Sequence, residues 1–266
     1  MDDKAGKSGL QHVPRASGLM VAGPRTGLFA RGRKDAANVP AAELYKQGVG
    51  HYNRKAYAEA AEAFRNAAEL GHAEAQYLLS TMYDAGEGVV HDDAEAARWE
   101  RKAADQGHAY AQANLSFRYY AVQDYAEAFA WCRRAAESDL AWAQFHLGLM
   151  FRKGEGTERD DTAAANWYRY AAMQGWAEAQ QKLGDLYYSG QGVGLDYAKA
   201  AGWYRKAADQ GNAEAQFQLG HLYGIGLGVA ADYPQARLWI RKAAEQGHEQ
   251  AVRELKKREY RDPERW

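Results

Sequence analysis

Residues 177–212 read AEAQQKLGDLYYSGQGVGLDYAKAAGWYRKAADQGN, and this stretch decides the fold. Apolar and small residues recur at helical spacing on both sides of a glycine pair, Gly190 and Gly192, which predicts two short helices joined by a turn. Asp196 stands just before the second helical pattern, where its side chain can accept from free backbone N–H groups. Gly211 closes the stretch. It is therefore expected to fold as one helix-turn-helix repeat.

The same pattern recurs along most of the chain. Aligning the sequence on Ala-x-Ala-Gln gives four repeats of 36 residues and two of 32, and Glu249 begins a final half-repeat. The long repeats cover residues 73–108, 141–176, 177–212 and 213–248, and the short ones cover residues 41–72 and 109–140. Self-similarity at a period of this length is the signature of a repeat array. Such repeats cannot bury their apolar faces alone, so each should pack against its neighbours.

Two positions inside the helices indicate close packing. A glycine follows the leucine of the first helix at Gly148, Gly184 and Gly220. Because glycine lowers helix propensity, its repeated use there indicates contact with a neighbouring helix. Leucine at these sites should overpack the contact, and alanine is expected to be milder. Tryptophan recurs at one place in the second helix and is assigned to the core: Trp99, Trp131, Trp167, Trp203 and Trp239.

The pattern Ala-x-Ala-Gln-x-x-Leu-Gly-x-x-Tyr-x-x-Gly-x-Gly-Val, followed by Asp, Ala and Trp-Tyr-x-Lys-Ala-Ala-x-Gln-Gly, closely resembles the Sel1-like repeat, a relative of the tetratricopeptide repeat. The resemblance covers residues 41–258 and implies an all-α, right-handed solenoid of six helix-turn-helix repeats plus a half-repeat. The two 32-residue repeats lack the glycine-rich loop and look more like tetratricopeptide repeats. Residues 1–40, which are basic and lack an apolar period, are predicted to be a disordered tail, and residues 259–266 a C-terminal tail.

The resemblance also implies a function in protein–protein interaction, as an adaptor or scaffold that holds a partner segment in the concave groove of the array. An enzyme is the alternative, because some cysteine-rich relatives are described as β-lactamase-like, but those relatives pair cysteines across each repeat. Cys132 is the single cysteine here, and the sequence contains no nucleophile-elbow, zinc-protease or phosphate-loop motif. We therefore expect no catalytic residue, metal or cofactor. A structural role at the cell envelope is a further alternative.

Binding residues are expected where the repeats differ from one another. In tetratricopeptide-like arrays the variable positions of the first helix line the concave face, and the resemblance implies the same here. In two adjacent repeats those positions hold five aromatic residues, a leucine and an arginine. Aromatic residues and arginine are enriched among the anchor residues of protein interfaces. The residues at those positions are Tyr110, Phe117, Tyr120, Trp142, Phe145, Leu149 and Arg152. The alternative is that phenylalanines such as Phe117 and Phe145 simply fill the space between helices.

Charge narrows the choice of partner. Matching positions of the other repeats carry mainly acidic residues, among them Glu74, Glu178, Asp185 and Glu214. An aromatic groove with acidic flanks predicts a basic or amphipathic peptide as partner. Residues 41–252 hold 21 basic and 28 acidic side chains, so this part of the chain should repel a phosphate backbone, and nucleic acid is not an expected partner.

Apolar runs, cysteine content and N-terminal charge bear on the cellular location of the protein. No apolar run is long enough for a membrane span or a secretory signal, and the single cysteine fits a reducing compartment, so a cytoplasmic location is expected. Residues 4–34 hold seven basic residues and no acidic one, which leaves an organelle-targeting segment open. The oligomeric state is open as well.

Overall fold

The computed structural model describes residues 39–259, and every element within that range is an α-helix. The thirteen helices are α1 Val39–Asn53, α2 Tyr57–Glu69, α3 Ala73–Ala85, α4 Asp93–Asp105, α5 Ala109–Ala121, α6 Tyr125–Glu137, α7 Ala141–Lys153, α8 Asp161–Met173, α9 Ala177–Ser189, α10 Tyr197–Asp209, α11 Ala213–Ile225, α12 Tyr233–Glu245 and α13 Glu249–Glu259. Each odd-numbered helix up to α11 packs against the next one along the chain. The all-helical array of paired repeats predicted from the sequence is confirmed.

The chain divides into two compact parts. The N-terminal unit ends at Ser138 and holds α1 to α6, and the C-terminal unit begins at Asp139 and holds α7 to α13. Helix α1 begins at Val39, inside the predicted N-terminal tail. Of the predicted tails 1–40 and 259–266, only Val39, Pro40 and Glu259 are described, and all three are helical. The rest of both tails lies outside the described residues. The right-handed winding of the whole array stays a prediction.

The helix boundaries follow the predicted capping residues. Gly190 ends α9 in the left-handed conformation, with φ at 72°. Asp160 caps α8 by accepting a hydrogen bond from the backbone N–H of Ala163 at 2.8 Å. The aspartates before α4, α10 and α12 accept equivalent bonds, which satisfy N–H groups that have no partner inside the helix. Asp124 caps α6 in the same way, although the sequence pattern had not singled it out.

In the pairs Gly190–Gly192 and Gly226–Gly228, the second glycine has a different role from the first. A Cβ atom on Gly192 would lie 2.1 Å from the carbonyl oxygen of Asp161, which begins α8 in the preceding repeat. Gly228 approaches the carbonyl oxygen of Tyr197 in the same way, at 2.3 Å. The loop of one repeat therefore rests directly on the backbone of the repeat before it, where only glycine fits.

Within a repeat, a glycine in the first helix faces a large side chain in the second. A Cβ atom on Gly184 would lie 2.6 Å from the Tyr204 ring, and one on Gly148 would lie 2.7 Å from the Tyr168 ring. This confirms that the two helices meet at these glycines. Alanine at Gly148 or Gly184 is still expected to cost less than leucine, but it should lower stability, because both tyrosine rings are fully buried and cannot move aside cheaply.

The recurring tryptophans are confirmed as equivalent, since each is the seventh residue of its second helix. Trp99, Trp131 and Trp239 are buried. Trp167 and Trp203 are only half-buried. In those two repeats the next residue in the chain, Tyr168 or Tyr204, is buried in the core instead. The core around α8 and α10 is therefore alanine-rich, with one fully buried tyrosine on each of these two helices.

Glutamines join successive helices in a way that the sequence pattern did not explain. Gln180, in the first turn of α9, donates from Nε2 to the carbonyl oxygen of Ala172 in α8 at 3.0 Å. Its Oε1 accepts from Gln210, at the end of α10, at 2.8 Å. The Ala172 carbonyl near the end of α8 thereby gains a second donor beside the backbone N–H of Gly175. Gln216 and Gln246 repeat this arrangement one repeat later.

Candidate functional site

The predicted binding residues are divided between the two units. Tyr110, Phe117 and Tyr120 lie on α5 in the N-terminal unit, and the other four lie on α7 in the C-terminal unit. Each unit therefore presents its own candidate surface.

On α5, three predicted aromatic residues remain accessible. Tyr110 is 40% exposed, and its ring stacks on that of Tyr77 with centroids 6.2 Å apart. Phe117 and Tyr120 are half-buried. The ring of Tyr120 meets that of Tyr125 edge-on at 5.1 Å. We call Tyr110, Phe117 and Tyr120 the α5 surface.

A histidine fixes the base of this surface. His108 accepts from the backbone N–H of Ala111 through Nδ1 at 3.2 Å, and its ring stacks on Tyr77 at 4.4 Å. Its Nε2 lies 3.0 Å from a carboxylate oxygen of Glu74 and donates to it, since Nδ1 is the acceptor. This bond holds the pKa of Glu74 below its ordinary value. His248 makes the same two bonds, with Glu214 and with the backbone N–H of Ala251, so both histidines are structural. Glu74 keeps its negative charge beside the α5 surface.

A buried carboxylate under α5 escaped the sequence reasoning. Glu100 is 3% exposed, at a place that the other complete long repeats fill with tyrosine or isoleucine. It accepts hydrogen bonds from Asn114 and Arg118, both at 2.8 Å. Burial raises the pKa of Glu100, and the two partners oppose that rise. Glu100 therefore anchors the half-exposed Arg118 next to Phe117.

On α7, two predicted binding residues prove to be core residues. Trp142 is 2% exposed and Phe145 is 8% exposed. The Trp142 ring lies 4.1 Å from that of His146, and the Phe145 ring lies 5.8 Å from that of Tyr168. The accessibility expected of Trp142 and Phe145 is absent, so both are corrected to packing residues. For Phe145 this is the alternative left open from the sequence.

The other two α7 residues, Leu149 and Arg152, line a cavity of about 440 Å³ that also reaches α9. We call it the α7–α9 pocket. Its remaining charged lining residues are Lys153, Arg159, Lys182 and Asp185. Asp185 was predicted as part of an acidic flank, but here it stands among four cations.

Asp185 is held by its own neighbours. One carboxylate oxygen accepts from the Tyr204 hydroxyl at 2.9 Å, and the other accepts from Gln181 at 2.7 Å and lies 3.6 Å from the Lys182 ammonium. Burial raises the pKa of Asp185, and these three partners oppose the rise.

The equivalent tyrosine one repeat earlier lacks such an acceptor. Tyr168 occupies the place of Tyr204, but Leu149 stands where Asp185 would be. The buried Tyr168 hydroxyl finds no acceptor for its proton among residues 39–259. Arg152 is one of its electrostatic neighbours, but a guanidinium offers no acceptor for the hydroxyl proton.

Phenylalanine substitutions should separate these two tyrosines. Tyr204→Phe removes a hydrogen bond to a partly buried carboxylate and should lower the free energy of unfolding by about 1 to 2 kcal/mol. Tyr168→Phe removes a hydroxyl that has no acceptor and should change the free energy of unfolding by less than about 0.5 kcal/mol. Urea denaturation followed by circular dichroism measures both. Equal costs would contradict the assignment of the Tyr204 hydroxyl to Asp185.

Among residues 39–259, no helix combines the length and the apolar character needed to cross a bilayer. No three His, Cys, Asp or Glu side chains among these residues come together in a group that could hold a metal ion.

Comparison with known proteins identifies the repeat. The family model described as Sel1 repeat matches residues 73–108, 109–140, 143–176, 177–212 and 213–248, which is more than half of the chain. A curated relative from Rhizobium leguminosarum bv. viciae, described as an exopolysaccharide production negative regulator, is 36% identical over 78 residues. That match covers 29% of this chain and 29% of the regulator.

Two solved structures are similar over most of the chain. A protective antigen present in uropathogenic Escherichia coli strains, described as displaying an SLR fold, is 36% identical with a TM-score of 0.74. The match covers 79% of this chain but 47% of the antigen, so the chain spans about half of that structure. A Sel1 repeat protein from Oxalobacter formigenes is 33% identical with a TM-score of 0.68, and the match covers 82% of this chain and 86% of that protein.

Proposed function

This chain belongs to the Sel1 repeat family, and we propose that it binds a partner protein, as an adaptor or scaffold without a catalytic step of its own. The observation that carries this proposal is the α5 surface. Tyr110, Phe117 and Tyr120 keep accessible aromatic area at positions that differ from repeat to repeat, so the fold does not require these residues there. Accessible aromatic residues of this kind are typical anchors of protein interfaces.

The chemistry around the α5 surface favours an amphipathic segment with basic residues. The aromatic rings offer apolar contact area, and the Glu74 carboxylate beside Tyr110 is half-exposed and stays ionised. A helix or extended peptide could place apolar side chains on the rings and a lysine or arginine near Glu74. Arg118 adds a guanidinium whose position is fixed from below by Glu100. These features favour a peptide partner that carries both apolar and basic side chains.

Loss of the α5 aromatics should weaken partner binding without unfolding the chain. We expect the double variant Tyr110→Ala, Tyr120→Ala to lose about 2 kcal/mol of binding energy, roughly thirtyfold in Kd. The partner is first captured with the full chain as bait, and its binding to each variant is then measured by calorimetry.

The matched control is Tyr170→Ala on α8. Tyr170 is 55% exposed and lies on a second helix, outside the predicted surface. Tyr170→Ala should bind the captured protein like the parent. If it lost affinity while the α5 double variant kept it, the binding surface would lie on the second helices.

A further inference from the structure

The α7–α9 pocket concentrates positive charge within an acidic part of the chain. Arg152, Lys153, Arg159 and Lys182 line it with a single carboxylate, Asp185. The repeats as a whole carry more acidic than basic residues, so this cluster runs against their overall charge. Cations grouped in a concave site raise the local concentration of anions.

Most of these cations already have a carboxylate nearby. Lys182 lies 3.6 Å from Asp185, Lys153 lies 3.4 Å from Glu155, and Arg159 lies 2.7 Å from Asp161. Arg152 is different, because its guanidinium forms no ion pair with a carboxylate in the part of the chain that the structure describes. Arg152 is also half-buried, which reduces the competition from water for its donors.

The repeats 141–176 and 177–212 differ in the residue that faces the buried tyrosine beside Arg152. In the later repeat a carboxylate, Asp185, accepts from the buried Tyr204 hydroxyl. In the earlier repeat the same place holds Leu149, and the buried Tyr168 hydroxyl has no acceptor among the described residues. Asp161 acts electrostatically on both Arg152 and Tyr168, but it already pairs with Arg159 at 2.7 Å. No carboxylate therefore takes the place beside Arg152 that Asp185 fills in the later repeat.

We propose that the α7–α9 pocket binds a carboxylate from an acidic side chain of a partner segment. Arg152 supplies the main donors, since a guanidinium can bind a carboxylate through two parallel N–H groups. Lys182 adds a second positive charge from α9, and Leu149 offers apolar contact to the methylene groups of a glutamate. This inference rests on the proposed protein-binding function, and it assigns this pocket a partner charge opposite to the basic one expected from the sequence.

The test uses the full chain and a defined probe. An acetylated, amidated oligoglutamate peptide is titrated into the protein at low ionic strength and followed by calorimetry, with an oligolysine peptide and inorganic phosphate as separate arms. Arg152→Gln should weaken oligoglutamate binding by about tenfold or more, as expected when a charge-assisted pair is lost. The matched control, Arg237→Gln, removes the same charge from an exposed site on α12 and should bind like the parent.

Each outcome has one meaning. Oligoglutamate binding that depends on Arg152 but not on Arg237 supports the proposal. Equal losses in the two variants, or binding of oligolysine instead, would overturn it. Phosphate binding without oligoglutamate binding would also overturn it and would indicate a site for small anions. Because the probe replaces the natural partner, failure here leaves the α5 test of the proposed function untouched.

Discussion

Replacing Gly192 with alanine should lower the free energy of unfolding by about 3 kcal/mol or more. Two costs add at this residue. Its φ of 68° lies in the left-handed region, which disfavours a side chain, and its Cβ would lie 2.1 Å from the Asp161 carbonyl oxygen. Since that oxygen belongs to the backbone of α8, the loop and the helix must separate, and the contact between two successive repeats is lost.

The matched control is Gly211→Ala. Gly211 also has a positive φ, at 91°, but a Cβ there would meet no atom within 4 Å. It should therefore cost only the backbone strain, about 1 to 2 kcal/mol. Thermal and urea denaturation of the two variants, compared with the parent, isolate the steric part. If Gly192→Ala cost no more than Gly211→Ala, the close approach of the loop to α8 would be refuted.

The glycines Gly190 and Gly192 also show how far the sequence could predict the fold. Positive φ, helix caps and helical periods depend on residues close together in the chain, so the repeat, its turns and the Asp160 cap could all be predicted. From sequence, Gly190 and Gly192 look alike, because both permit a left-handed backbone. Only the structure separates them, since the second role depends on Asp161, which belongs to the preceding repeat.

The candidate site was harder to predict because exposure depends on neighbours distant in sequence. Tyr110 and Trp142 hold the same position in their repeats, yet one is 40% exposed and the other 2%. The anion site that we propose in the α7–α9 pocket does not follow from the sequence, because the pattern predicts Asp185 as a surface charge on an acidic flank. One signal was available: Leu149 and Asp185 differ at one repeat position, while the tyrosines opposite them are the same.

Acid should destabilise the chain through His146. This imidazole is 2% exposed, and burial, with a smaller effect of Lys153, lowers its pKa from 6.5 to about 3. The folded state therefore holds it neutral, while the unfolded chain takes up a proton below about pH 6.5. The stability that depends on the neutral ring is complete above that pH and is lost as the pH falls towards 3. Between pH 7 and pH 4 the loss should be about 3 kcal/mol.

The variant His146→Leu isolates this contribution. Leucine does not titrate, and it removes an Nδ1 atom that has no hydrogen-bond partner among the described residues. The free energy of unfolding of the variant should therefore fall by about 3 kcal/mol less than that of the parent between pH 7 and pH 4, as measured by urea denaturation. Parallel pH profiles, or a His146 imidazole signal that titrates near pH 6.5 in the folded protein by NMR, would contradict the assignment. Because His146 and Arg152 lie on the same helix, anion binding to the α7–α9 pocket should be measured near pH 7, where protonation of His146 does not contribute to the result.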